Sequence, residues 1–600
     1  MSTGISLDLI SLRRAYADGT LMPVQVVEEV LRRADDPRFP HVWIEKLGRE
    51  DLLALAKALP PKPTAELLLY GVPFAIKDNI DIAGIKTTVG CPAFAYAPEK
   101  SATVVAKLIA AGALPIGKTN LDQFATGLVG TRSPFGICQS VFDPEYISGG
   151  SSSGSAVAVA SGMVTFALGT DTAGSGRVPA SFNNIVGLKP TKGLVSTNGV
   201  FPACRSLDCV SIFAGSCHDA QTVLDVAAGF DAGDVYSRAL PKSTPTIATN
   251  FKFGVLPIAQ WEFFGDTEAA ELYEQAIASF RAAGGEPVEF DYAPFAQAAA
   301  LLYAGPWVSE RRWALGDFFE KHGDAIHPVV REIIGNAKKF DAVATFDAQY
   351  KLQALAQTVA PGWEKVDVLL LPTAGTTYKI SELLADPIKL NSNLGYYTNF
   401  VNLLDLSALA LPAGFRPSNG LPFGVTLIGR AFADSALLQL GAKYHQAIGG
   451  KVGVTPTEIS SQPLPNAKAS GVLLAVVGAH LRGQPLNHQL TSRKAGFIRQ
   501  TRTAPCYQLF ALANTQPPKP GLKRVMEKMA QGIEVEIWSL DDTAFGSFVA
   551  EIPPPLGIGT LELEDGTSVK GFLCEPIGLD GARDITQYAG WRAFRASLAK

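Results

Sequence analysis

From Gly71 onward, short apolar runs punctuated by glycine alternate with amphipathic stretches, and this alternation constrains the fold more than any other feature of the chain. Val72–Ile76, Leu114–Gly117 and Val164–Gly169 read as buried strands, with Thr103–Ala111 and Ala156–Met163 as helices between them. Phe253–Leu256, Val366–Leu371 and Phe423–Gly429 continue the strands, and Glu268–Ala283 is a further helix. Strands alternating with helices over this length predict an α/β domain with a mixed central sheet covered by helices. Ahead of it, Ser6–Asp18, Val24–Arg33 and Leu52–Ala58 carry apolar residues at three- and four-residue spacing and read as helices.

A chain of 600 residues exceeds the roughly 250–300 at which one core stops growing. The composition places the break. Residues 451–470, KVGVTPTEISSQPLPNAKAS, are rich in Pro, Ser and Thr without an apolar period and read as a linker. The expected organisation is a domain over 1–450, the linker, and a smaller α+β domain over 471–600. Strands are expected in the last at 472–479, Glu534–Trp538 and Gly559–Glu564. With 47% hydrophobic and 18% charged residues, a disordered or fibrous chain is excluded. A net charge of -4 gives no support to nucleic-acid binding or a polybasic membrane contact. Ala156–Gly169 is broken by Ser161, Gly162 and Thr165, short of the roughly 18 continuous apolar residues of a membrane span. The N-terminus lacks a basic region followed by an apolar core, so no signal peptide is expected. Seven scattered cysteines without a C-x-x-C pair fit reduced thiols in the cytoplasm, with no metal site.

The densest chemical signal is ISGGSSSGSAVAVASGMVTFALGTDTAGSGRVPASF, residues 147–182. A phosphate-binding loop would need Lys where Ser155 stands. Gly150-Ser151-Ser152-Ser153-Gly154 satisfies the nucleophile-elbow pattern literally, but the preceding VFDPEYIS is polar and turn-like where that motif needs a buried strand. A flexible Gly/Ser loop is the simplest account of the composition, yet these serines run directly into a helix and a strand. The remaining account uses two serines and a lysine. Around Ser175, small residues let backbone N–H groups converge, as an oxyanion hole requires. Lys77 follows an apolar strand, where burial can keep its amine neutral. From composition alone, a salt bridge of Lys77 with Asp78 or Asp81 is the favoured account.

GVPFAIKDNIDIAG, AKLIAAGALPIGKTNLDQFATG, GGSSSGSAVAVASG, ALGTDTAGSGRVPASFNNIVGLKPT, SLDCV, DVLLLPT and GLPFGVTLIGRAFAD occur in the order in which they resemble the amidase-signature hydrolases, over about residues 5–450. The resemblance implies an amidase-signature fold and a Ser-Ser-Lys triad. Carried over by position, Ser175 is the nucleophile, Ser151 the bridging serine and Lys77 the base. The N–H groups of Thr172, Ala173, Gly174 and Ser175 form the oxyanion hole, and the Gly150–Ser151 bond is cis.

Two departures narrow the resemblance. Gly176 stands where the family often has a bulky aliphatic residue, and Gln123 where it usually has an acid. With LLYAGPWVSERR and the chain length, they resemble allophanate hydrolases. That implies a small anionic amide as substrate, held by Tyr303 and Arg311, with no cofactor. It further implies a homodimer coupled functionally to a biotin-dependent urea carboxylase in urea degradation. On spacing alone, eight residues put Tyr303 and Arg311 on one helical face, and a pairing of Arg311 with Glu310 or Asp317 is the plainer account. The alternatives are another amidase of the same family, acting on a larger amide, or the glutaminase-like subunit of a tRNA-dependent amidotransferase. VVGAHLRGQPLNHQL resembles a γ-glutamylcyclotransferase-like tail, with Val477 replacing the usual aromatic residue. It makes His488 the candidate for a decarboxylation that follows amide hydrolysis. His322 and His327 are five apart without a Cys or Glu-His frame and give no metal site, while His41, His218 and His445 read as structural or surface residues.

Overall fold

Asp8 accepts a hydrogen bond from the Ser11 N–H at 2.8 Å and so starts the first helix, Leu9–Ala17, inside the expected segment. In the second, Pro23–Ala34, Val26, Val27 and Val30 are buried along one face. The computed structural model describes residues 5–241, 244–248, 250–458, 472–493 and 495–598. It forms two compact units, one within 5–458 and one within 472–598.

The first unit is built on an eleven-stranded sheet. Its strands are β1 (Trp43–Lys46), β2 (Pro73–Lys77), β3 (Leu114–Thr119), β4 (Phe166–Asp171), β5 (Val186–Lys189), β6 (Cys209–Ala214), β7 (Phe251–Val255), β8 (Gly285–Glu289), β9 (Val368–Pro372), β10 (Ser407–Phe415) and β11 (Pro422–Gly429). The order β1-β3-β2-β4-β6-β5-β10-β11-β9-β7-β8 is mixed. β2 runs parallel to β3 and β4, and β7 parallel to β8 and β9, while β4, β6, β5, β10, β11 and β9 pair antiparallel in succession. β2 to β6 are buried at every residue, and the apolar stretches of β2, β3 and β4 read from the sequence lie in them.

The helix expected at Ala156–Met163 lies at Ser153–Ala160, so the serine run forms its first turn. Ser155 explains the shift. Its hydroxyl donates to the Leu168 carbonyl on β4 at 2.9 Å and meets the Thr119 hydroxyl on β3 at 2.7 Å, so serine satisfies a position packed between strands. The beginning of the expected linker is seated on this unit. Val452 is buried, and the Val454 N–H donates to the Ala160 carbonyl at 3.0 Å. Residues 459–470 of that segment lie outside the described residues.

The second unit holds a five-stranded sheet in the order β13-β16-β12-β18-β17. These are β12 (Val472–Val476), β13 (Gly496–Arg502), β16 (Glu534–Leu540), β17 (Leu556–Glu562) and β18 (Ser568–Cys574). β14 (Tyr507–Ala511), β15 (Pro520–Arg524) and β19 (Arg583–Asp584) make a three-stranded sheet beside it. Leu474, Val476, Ile537, Trp538 and Phe572 share its separate core.

Candidate active site

Lys77 ends β2 with its side chain fully buried. Its Nζ lies 2.8 Å from Ser151 Oγ and 2.7 Å from Thr170 Oγ1. The salt bridges open to it in the sequence go elsewhere. Asp78 pairs with Lys118 at 3.1 Å, and Asp81 accepts from Thr87 and Tyr96. Burial pushes the Lys77 amine from 10.5 down to about 7, against the pull of Asp122, Asp208 and Asp171; the charge of Arg311 reinforces the fall.

Ser151 enters this geometry through a cis bond from Gly150. A Cβ at Gly150 would stand 2.3 Å from Asp122 Oδ2 and 2.6 Å from the Gly130 N, so only glycine lets the turn pass this close. Ser152, the central serine of the literal elbow pattern, is directed at β4: its Oγ donates to the Thr170 carbonyl at 3.1 Å. Ser175 follows β4 in the loop TAGSG. Its Oγ donates to the Gly127 carbonyl at 3.4 Å and is almost fully buried.

Asp171 shapes that loop. Its carboxylate accepts the Gly174 N–H at 2.8 Å and the Gly176 N–H at 3.0 Å, and Arg177 grips both oxygens at 2.9 Å. Of the four N–H groups expected at an oxyanion hole, that of Gly174 is therefore already engaged. Thr172 is held by its hydroxyl, which donates to Asp208 Oδ1 at 2.5 Å. Burial lifts the Asp208 carboxyl to about 6, while the bonds from Thr172 and from the Ala203 and Cys204 N–H groups hold it lower than burial alone would. Nothing in residue spacing marked Asp208 as part of this region; it was visible only within the motif SLDCV.

Tyr303 and Arg311 do meet, but not on one helix. Gly305 and Pro306 break the chain into Ala293–Ala304 and Val308–Leu315, and the two side chains converge across the break. Arg311 Nη2 donates to Tyr303 Oη at 3.3 Å, and Nη1 to Thr126 Oγ1 at 2.9 Å and the Ala125 carbonyl at 3.2 Å. Arg311 is buried and is not paired with Glu310, which binds Ser206 instead. Gln123 donates to the Gly90 and Ala325 carbonyls and accepts the His327 N–H at 2.6 Å. A carboxylate could make only the last of these bonds, which accounts for the amide at this position.

In the second unit, a cavity of about 200 Å³ is lined by His480, Gln489, Lys519, Glu551 and Phe572 among others. His480 stacks on Phe572 with ring centroids 5.1 Å apart, and its Nε2 lies 2.8 Å from Gln489 Oε1. His488 is exposed, with Nδ1 2.9 Å from the Pro485 carbonyl, a contact that closes its own turn. The cavity histidine is the one in VVGAH, eight residues earlier.

Residues 25–438 match the amidase family. The chain belongs to it. This amidase is 44% identical to urea amidolyase of Saccharomyces cerevisiae over 595 residues, 96% of its own length and 32% of that protein's. It thus spans about a third of the length of the urea amidolyases it matches. The solved allophanate hydrolase of Kluyveromyces lactis is 41% identical, with a TM-score of 0.84 over 99% of this chain and 100% of that one. A glutamyl-tRNA(Gln) amidotransferase subunit of Thermosynechococcus vestitus is 36% identical, over 63% of this chain and 84% of its own length. Residues 472–596 match the allophanate hydrolase C-terminal domain.

Proposed function

We propose that the chain hydrolyses allophanate, urea-1-carboxylate, by Ser-Ser-Lys chemistry in urea degradation. The observation that carries this reading is the buried Lys77–Ser151 contact in the same unit as an Arg311 that has no carboxylate partner among the described residues. Neutral Lys77 takes the Ser151 hydroxyl proton while Ser151 takes that of Ser175, whose Oγ attacks the amide carbonyl. The developing oxyanion is held by the N–H groups of Thr172, Ala173 and Ser175. Gly174, its own N–H bound by Asp171, contributes the left-handed bend at φ 135° that brings the others together. The proton returns through Ser151 to the leaving nitrogen and ammonia departs. Water then attacks the acyl-enzyme by the same relay and releases N-carboxycarbamate. Arg311 and Tyr303 hold the substrate carboxylate, a planar anion suited to a guanidinium fork.

The released N-carboxycarbamate then loses carbon dioxide. The cavity around His480 supports a γ-glutamylcyclotransferase-like second domain that assists this loss, with His480 in place of the His488 suggested by the sequence alone. We take residues 451–470 as the join between the two domains. The exposed row Val343, Phe346 and Tyr350 on helix Ala342–Val359 supports a homodimer. Seven free cysteines support a cytoplasmic setting, and among the described residues no helix is long and apolar enough to cross a membrane. The urea amidolyase relatives, about three times as long, support functional coupling to a biotin-dependent urea carboxylase. The amidotransferase reading is weaker, because the match to that relative covers only 63% of this chain and leaves the C-terminal family match unexplained. Ammonia release from allophanate, biuret, malonamate and glutamine tests the assignment: allophanate should be used with the highest kcat/KM, and a preference for glutamine would overturn it.

A further inference from the structure

We propose that the turn Phe124–Thr126 is the specificity-determining seat of Arg311, with Thr126 as the positioning residue that aims the guanidinium at the substrate carboxylate. The proposal rests on the anionic-substrate reading above and adds how this chain builds it.

Arg311 is a buried cation whose hydrogen bonds go to neutral acceptors. Both Nη1 bonds go to the turn, one to the Ala125 carbonyl and one to Thr126 Oγ1, and one Nη2 bond goes to Tyr303. A guanidinium has five N–H groups, and among the described residues Nε has no hydrogen-bond partner. Nε and Nη2 share one edge, the edge Arg177 presents to Asp171 in a two-oxygen grip. The turn thus occupies the far side of the guanidinium and leaves the fork for an incoming carboxylate.

Thr126 is committed to that task. Its single hydroxyl proton goes to the Phe124 carbonyl at 3.1 Å, so only lone pairs face Arg311. The backbone is held in an unfavourable form to achieve it. Phe124 and Ala125 both have φ near +52°, the left-handed region that side-chain-bearing residues avoid and that persists where surroundings enforce it. Those surroundings are present. Arg132 Nη1 donates to the Thr126 carbonyl at 3.0 Å, and the Asp122 carboxylate gathers the N–H groups of Val129, Gly130 and Arg132. The residue after Thr126 is Gly127, whose carbonyl accepts from Ser175. The seat of the anion grip and the nucleophile's acceptor are therefore adjacent residues. That spacing fixes the distance between a bound carboxylate and the attacked carbonyl, so the turn selects short substrates.

Steady-state kinetics of the full chain on allophanate tests this, with Thr126→Val, Thr126→Ser and Arg311→Ala compared. Removing the neutral hydroxyl acceptor from a buried cation should raise KM about tenfold with kcat within about twofold of wild type. Thr126→Ser, which keeps the hydroxyl, should restore KM to within about threefold. An unchanged KM in Thr126→Val, a loss confined to kcat, or a serine variant as impaired as the valine variant would overturn the proposal. Arg311→Ala separates the two levels. If it raises KM steeply while Thr126→Val does not, only the turn's role falls. If it leaves KM unchanged, the anion-binding reading falls with it.

Discussion

Lys77 can act as a base because its position strips it of water. Below about pH 7 the amine is protonated and cannot accept from Ser151, so kcat/KM should fall on the acid side with a midpoint near 7. The neighbouring charges set the direction of further shifts. Arg311 opposes protonation of Lys77, so Arg311→Ala should move this limb to higher pH. Asp208 favours protonation, so Asp208→Asn should move it lower; both are read from pH–rate profiles of the variants. Lys77→Arg retains the charge and cannot give it up at working pH, so it should be as inactive as Lys77→Ala in the same assay. Ser175→Ala should abolish turnover, whereas Ser152→Ala, which loses bonds to the Thr170 carbonyl and from the Thr170 N–H, should keep most of it. The Lys77–Ser151 contact was legible because each residue sits in a long ordered motif. Thr170 and Asp208 were not singled out, because a residue that touches the site through a strand end or a neighbouring loop carries no spacing of its own.

At the scale of elements, the sequence is clearest where one local rule governs and weakest where tertiary contacts override it. The buried strands β2, β3 and β4 were readable as apolar runs, whereas the serine-rich start of helix Ser153–Ala160 was not, since those hydroxyls are satisfied by partners distant in sequence. Tyr303 and Arg311 meet, as their eight-residue spacing suggested, but a break at Gly305-Pro306, not a continuous helix, brings them together. His488 was singled out by its motif, while the cavity-lining histidine is His480, a difference set by which side of a turn faces the fold. Gly176 shows how one element limits another. A Cβ there would lie 2.5 Å from Ser211 Cβ on β6, so the larger residue common in the family has no room here. Gly176→Val should lower stability by about 1–3 kcal/mol, measured as a reduced denaturation midpoint by circular dichroism, with partial recovery in the Gly176→Val/Ser211→Gly double variant.

At the scale of the whole molecule, the proposed division of labour puts amide hydrolysis in the first unit and loss of carbon dioxide in the second. A chain ending after Glu458 keeps Val452 and Val454 in their contacts with the first unit and should still release one ammonia from allophanate. It should also let N-carboxycarbamate accumulate, as should His480→Ala in the full chain, with ¹³C NMR of labelled allophanate as the readout. Equal decay of the intermediate in all three proteins would leave the second unit a structural role. The two-unit division was legible in composition, because a Pro-, Ser- and Thr-rich segment interrupts the apolar period. That residues 451–458 are seated on the first unit was not, because a strap held by Ala160 and Asn184 has the same composition as a free linker. The central claim is that Ser175, activated through Ser151 and Lys77, opens the amide of a small anionic substrate. Its most direct test is the stoichiometric ammonia burst from ¹⁵N-labelled allophanate under single-turnover conditions in the wild-type chain, Ser175→Ala and Lys77→Arg. The account predicts a full burst only in the wild type, with both variants at the background rate; a burst in Ser175→Ala would contradict it.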